Sequence, residues 1–171
     1  MKRTTFNFTP ERVATFTDGI IAITLSLMVF NMKVPEFGDG ITRAEVHSIL
    51  LKELLPTLSI YFISFISVGI FWISHHNFFY LLKKVDPPLL WLNLGLLFPI
   101  TLIPMTTGYL ASSPLEPDST AGFSFNLFFC LTFFGSVIFY AYKKGLMKDN
   151  LEKRSVRRVL YLITIASILW I

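Results

Sequence analysis

Charge is scarce in this chain: 15% of its 171 residues are Asp, Glu, Lys or Arg, against roughly 25% in ordinary soluble domains. That scarcity excludes a solvated surface of normal size. A single cysteine, Cys130, excludes an intrachain disulfide and leaves the redox compartment open. Its place within an apolar run marks it as a packing residue. Glycine-rich phosphate loops and the HExxH zinc pattern are both absent, and the adjacent His75 and His76 point to different helix faces, which is poor spacing for two ligands on one metal. An intramembrane metalloenzyme would also need carboxylates at matching depth, which the sequence lacks. Neither catalysis nor a cofactor is expected. No soluble domain, low-complexity tract or internal repeat is visible.

What fills the chain is apolar: 53% of residues are hydrophobic and 16% aromatic. A spanning helix needs about 20 consecutive, largely apolar residues. Spans are expected at about 13–32, 57–82, 88–110 and 122–142, and a fifth run at about 156–171 reaches the last residue before it is long enough to cross. Either the chain ends inside the bilayer or its sequence is cut short. The first run carries Asp18 and leads into bulky Phe30 and Met32, unlike a cleavable signal peptide with its small-residue cleavage site. The fold class is therefore an all-α, polytopic membrane bundle, read as a single domain over 1–171.

Orientation follows from the basic residues, which are retained on the cytoplasmic side. Lys2, Arg3 and Arg12 precede the first span, Lys83 and Lys84 follow the second, and Lys143, Lys144, Lys148, Lys153, Arg154, Arg157 and Arg158 follow the fourth. These are twelve of the fifteen basic residues. Lys33, Arg43 and Lys52 lie on the other side among Glu36, Asp39, Glu45 and Glu53, with Glu116 and Asp118 in the next outer loop. A cytoplasmic N-terminus is expected. The net charge of +4 is thus a topology signal, and nucleic acid is not an expected partner, because the basic residues flank helices and form no binding motif.

Punctuation organises the rest. Pro35, Gly38 and Gly40 make a turn, after which Val46, Ile49, Leu50, Leu54 and Leu55 recur at helical spacing, predicting an amphipathic segment at about 44–55 on the outer interface. Pro56, Pro87 and Pro88 suit first helical turns, where a missing N–H costs least. Pro99 and Pro104 lie inside the third run and predict a kinked or broken helix there.

The first run puts an acid and a base at the mouth of an apolar helix: Arg12, then Phe16-Thr17-Asp18-Gly19. At about 100° per residue, Phe16, Gly19, Ser26, Leu27 and Phe30 all fall within roughly 60° of Ile23. Such a stripe is either a helix-packing surface or a pore wall whose stacked apolar rings gate by dewetting. Charges inside a membrane need partners or an interfacial position. Trp72, His75 and Phe79 recur at i, i+3 and i+7 in the second run beside His76 and Asn77, and the third run contributes Asp86, Trp91 and Asn93 at the same end. Arg12, Asp18, His75 or His76, and Asn93 can meet there. The network serves either as a polar clamp between helices or, through the imidazoles, as a proton sensor.

The Arg-x-x-x-Phe-Thr-Asp-Gly start of the first run resembles the Arg-x-x-x-Phe-Ser-Asp signature of the transmembrane protein 175 family, potassium-permeable channels of endolysosomes and prokaryotes. Phe71-Trp72-Ile-Ser-His75-His76-Asn77-Phe78-Phe79 and Leu90-Trp91-Leu92-Asn93-Leu94 resemble its next two helices, in order and at matching spacing. The resemblance implies a six-helix subunit, homotetrameric in single-unit prokaryotic members, in the plasma membrane. It implies a pore lined by the first helix with no carbonyl-lined filter loop, passing potassium and other monovalent cations. Ile23 matches the narrowest hydrophobic ring, Leu27 and Phe30 the bulky outer turns, and Ser26 a pore-facing threonine linked to selectivity, so potassium would pass close to Ile23 and Ser26. Arg12, Phe16, Thr17 and Asp18, with Trp72, His75, His76 and Asn93, match the network that fixes the pore helix. Thr17 stands for the usual serine, Ser26 for threonine, and Phe30 is larger than the common leucine. The competing expectation is a proton-coupled transporter or proton leak using His75, His76 and Asp18.

Overall fold

The computed structural model describes residues 8–30, 32, 35 and 37–148. The fifth apolar run at about 156–171 and the basic residues Lys2, Arg3, Lys33, Lys153, Arg154, Arg157 and Arg158 lie outside the described residues.

Among the described residues five α-helices form: α1 (Pro10–Phe30), α2 (Arg43–Ile49), α3 (Leu55–Tyr80), α4 (Pro87–Ser112) and α5 (Pro117–Lys143). Among the described residues no β-strand forms, and the nearest approach to one is a single antiparallel bridge between Leu82 and Met147. Among the described residues four stretches are long and apolar enough to cross a membrane: α1, α4, α5, and the continuous stretch Arg43–Tyr80 that contains α3. In lipid every backbone group must be satisfied internally, which only a helix achieves in a single segment. Serine and threonine hydroxyls follow the same rule: Thr24, Ser26, Ser67, Thr132 and Ser136 each donate to the carbonyl four residues earlier.

Chain direction alternates from helix to helix. The N-termini of α1 and α4 and the C-termini of α3 and α5 lie at one end of the bundle, together with Arg12, Lys83, Lys84, Lys143, Lys144 and Lys148. We call this the basic end. Helix α4 packs against α1, α3 and α5 and is the most buried of the spans, while α3 is the least. The tightest approach is at Gly95 of α4, where an added Cβ would stand 2.7 Å from Cε1 of Phe133. Glycine there lets α5 close onto α4. Cys130 is buried and free in the same interface, as its apolar setting predicted.

Helix starts use the expected chemistry. Asp86 caps α4 by accepting from the Leu89 N–H at 3.0 Å, and its other carboxylate oxygen accepts from the Tyr140 hydroxyl at 2.9 Å. Thr42 and Glu45 form a reciprocal capping box at the start of α2.

Two expectations change. The segment at 44–55 is helical but is not a separate element, because α2 passes through a π-helical turn, Leu50–Leu54, directly into α3. The whole stretch of 38 residues is about 57 Å long, far more than the roughly 30 Å of hydrocarbon it must cross. The π turn carries the chain into Pro56, whose missing N–H would otherwise interrupt an α-helical ladder. Of the kink or break expected at Pro99 and Pro104, the break does not occur: α4 runs unbroken through both buried prolines, packed against neighbours on three sides.

Candidate functional site

Helix α1 is two-sided. Val13, Thr17, Ile21, Thr24 and Met28, spaced four, four, three and four apart, are buried against the rest of the chain. The opposite face carries Phe16, Gly19, Ile23, Ser26, Leu27 and Phe30, all exposed. Ile21 and Met28 are each 1% exposed, whereas Ile23 is 57% and Phe30 80% exposed. The stripe seen in the sequence is therefore not the surface by which α1 packs against the rest of the chain. On that stripe the Ser26 hydroxyl donates to the Ala22 carbonyl at 2.9 Å. With its proton so engaged, the oxygen presents lone pairs outward, the side of a hydroxyl that a cation prefers.

Below the stripe, towards the basic end, the sequence-predicted polar residues separate into two clusters. The first is buried. Asn93 Nδ2 donates to Thr17 Oγ1 at 3.0 Å, and Asn93 Oδ1 lies 2.9 Å from His75 Nε2. Thr17 is 0%, His75 1% and Asn93 2% exposed. Because the amide gives its N–H to Thr17, its oxygen is the acceptor and His75 carries its proton on Nε2. Among the described residues Nδ1 of His75 has no partner, and the ring stacks on Phe79 with centroids 4.2 Å apart. The second cluster is half-exposed. Trp72 Nε1 donates to Asp18 Oδ1 at 2.9 Å, and His76 Nδ1 stands 3.8 Å from Asp18 Oδ2.

Each cluster takes one of two adjacent residues on α1, Thr17 or Asp18, and one of two on α3, His75 or His76. A polar staple thus ties α1 to α3 and α4. Arg12 joins neither cluster among the described residues; its backbone N–H bonds Thr9 and its side chain is exposed. Six residues of helix place it about 120° around α1 from Asp18, a signal already present in the sequence. The Asp86–Tyr140 bond, which ties α4 to α5 near the basic end, had no such signal, because its partners are 54 residues apart.

The sequence profile of the endosomal/lysosomal potassium channel TMEM175 matches residues 12–104, spanning α1, α3 and most of α4. The chain belongs to the TMEM175 family. Similar proteins include one named as a potassium channel in Chryseobacterium sp. (strain P1-3), 38% identical over 70% of this chain and 58% of that one. Another, from Bos taurus, is named as an endosomal/lysosomal proton channel TMEM175; it is 29% identical over 67% of this chain and 22% of that one. The chain spans about half the length of the bacterial relatives it matches. Among solved structures, a lysosomal potassium-selective channel TMEM175 homolog from Chamaesiphon minutus shares the fold, with a TM-score of 0.79 at 23% identity over 94% of this chain and 82% of that one. Within this family of channels the chain is a multi-pass membrane protein.

Proposed function

We propose that this chain is one subunit of a homotetrameric cation channel, modestly selective for potassium over sodium, whose pore is lined by the exposed face of α1. The observation that carries the reading is the two-sidedness of α1. Its packed face anchors it to α3 and α4, while Ile23, Leu27 and Phe30 stand in line on the unpacked face with the Ser26 hydroxyl among them. A helix that merely faced lipid would need neither the hydroxyl in line with Ile23 nor a double polar staple fixing its rotation. The naming of bacterial relatives as potassium channels supports the same reading.

Four copies of Ile23 form the narrowest ring, with Leu27 and Phe30 above it. Removing an ion's water in a dry apolar ring costs tens of kcal/mol in the Born limit, so the closed ring excludes ions and opening must widen and wet it. Partial dehydration there, with Ser26 oxygens replacing lost water, yields modest discrimination between alkali cations. Thr17, Asp18, Trp72, His75, His76 and Asn93 hold the helix at the rotation that points Ile23 inward; Phe16 lies at the cytoplasmic mouth, and Arg12 acts at that mouth apart from the staple. The subunit sits in the plasma membrane with its N-terminus in the cytoplasm and catalyses no reaction; of the family's six helices, five are readable as apolar runs in this sequence.

The test is ion flux in proteoliposomes under an outward potassium gradient, with sodium and proton gradients as controls. Ile23→Asn is expected to conduct while discriminating less between potassium and sodium, and unchanged reversal potentials in mixed salts would remove the ring from the mechanism. A second reading, a proton pathway, draws on the half-exposed Asp18–His76 contact. It requires flux that persists without potassium, follows the proton gradient and falls in His76→Gln.

A further inference from the structure

The chain beyond α5 returns to the bundle at its basic end. Gly145 adopts a positive φ of 62°, the left-handed conformation that glycine takes without strain, and turns the backbone back towards α3. The Lys83 N–H then donates to the Leu146 carbonyl, and the Lys148 N–H to the Leu81 carbonyl, both at 2.9 Å. Leu82, Leu146 and Met147 are buried beneath this seam. Lys148 serves as its anchor: its ammonium donates to the Tyr80 carbonyl at 2.6 Å and lies 4.3 Å from the centroid of the Tyr80 ring. Two loops that follow different helices become one surface.

That surface keeps its positive charge. Lys84, Lys143 and Lys144 are exposed, and among the described residues none of the three pairs with a carboxylate. Asp86, two residues from Lys84, is spent on the Leu89 N–H and the Tyr140 hydroxyl. Tyr80, Trp91 and Tyr142, at the same ends of α3, α4 and α5, are exposed. Aromatic side chains so placed occupy the boundary between hydrocarbon and headgroups. The three ammonium groups therefore stand at the level of the lipid phosphates.

We propose that the seam joining the α3–α4 turn to residues 144–148 is a binding surface for the headgroup of an anionic phospholipid, held by Lys84, Lys143 and Lys144. The aromatic belt fixes the patch at the bilayer surface, which favours a lipid over a soluble acidic partner. Binding is independent of whether the subunit conducts, and it rests on the basic end alone. Each lysine near an anionic surface strengthens attachment about fivefold.

The experiment titrates the full chain, purified and delipidated in detergent, with phosphatidylglycerol or chain-matched phosphatidylcholine and counts retained lipids by native mass spectrometry. Wild type is expected to retain phosphatidylglycerol at concentrations at least tenfold below those needed for phosphatidylcholine. Lys144→Gln alone loses about fivefold in phosphatidylglycerol affinity, and Lys84→Gln with Lys143→Gln and Lys144→Gln abolishes the preference. Arg43→Gln with Lys52→Gln, at the opposite end, leaves it intact. Millimolar inorganic phosphate is expected not to displace the lipid. Equal retention of the two lipids by wild type, a preference that survives the triple substitution, an equal loss in the opposite-end variant, or displacement by phosphate alone would each overturn the proposal.

Discussion

Thr17→Val separates a hydrogen-bonded staple from ordinary apolar packing, because valine has threonine's shape and the two accounts predict opposite signs. Thr17 is fully buried, and among the described residues its hydroxyl oxygen accepts from Asn93 Nδ2 at 3.0 Å. If burial alone mattered, replacing a hydroxyl by a methyl group inside a membrane bundle would stabilise. If the staple matters, the Asn93 amide loses its acceptor, and an orphaned buried donor costs about 1–3 kcal/mol. Inter-helix hydrogen bonds in membranes average about 0.6 kcal/mol and reach about 1.7, since the unfolded chain also finds partners there. The expected loss is therefore about 1–2 kcal/mol. Thr17→Ser keeps the oxygen and removes one methyl group, a loss of roughly 0.8 kcal/mol, so it should be the milder change. Asn93→Leu should in turn cost about 0.6–1.7 kcal/mol less in the Thr17→Val background than in wild type, since the bond is already gone. The assay is reversible unfolding in mixed micelles by SDS titration, followed by helical circular dichroism. A Thr17→Val protein as stable as wild type, or a Thr17→Ser protein weaker than Thr17→Val, would refute the staple.

Three further outcomes follow from the same geometry. Asp18→Ala removes the acceptor of the Trp72 indole N–H and is expected to lower the yield of intact oligomer in size-exclusion chromatography, whereas Asp18→Asn keeps an acceptor oxygen and Arg12→Ala touches neither cluster; equal damage from Asp18→Ala and Asp18→Asn would show that charge, not the bond, matters. Gly95→Ala forces the Phe133 ring aside at a cost of about 1–3 kcal/mol, and Phe133→Leu should recover most of it in the same unfolding assay. Asp86→Ala deletes both the α4 cap and the Tyr140 bond, costing about 1–2 kcal/mol through the cap; Tyr140→Phe should cost less, and a larger loss from Tyr140→Phe would invert that ranking.

The spans were legible because the bilayer imposes a length and a composition that few other structures meet. Their ends were less so. Helix α5 starts at Pro117, about five residues before the apolar run suggests, since Pro117, Asp118 and Ser119 make a good first turn although they are not apolar. Hydropathy detects the membrane and misses the polar turn that precedes it. The same bias divided Arg43–Tyr80 into an interfacial segment and a span, because Pro56 looked like a start signal. Backbone continuity through a π turn leaves no compositional trace. Pro99 and Pro104 mark the opposite case: a local rule allows a kink or a break there, and the break is overridden by the packing of α4 at the centre of the bundle.

At the candidate site, periodicity carried more information than composition. Counting 100° per residue separates His75 from His76, and the structure places the first among Asn93 and Phe79 and the second beside Asp18. The same count distinguishes Thr17 from Asp18 and sets Arg12 apart from both, so the division into two clusters was latent in residues first read as one network. Periodicity could not say which face of α1 packs inward. Both faces carry hydroxyls and bulky apolar groups, and the decision rests on what α4 offers in return: a buried Asn93 amide, its oxygen already taken by His75, whose N–H the Thr17 hydroxyl accepts. With the Asn93 oxygen held by His75, the Asn93 amide N–H finds its acceptor in Thr17, and Ile23 then turns away from the packed face by geometry alone. The rotation of α1 is thus set by a polar demand more than by hydrophobic preference, and substitutions in the staple should alter the exposure of Ile23 before they alter the stability of any single helix.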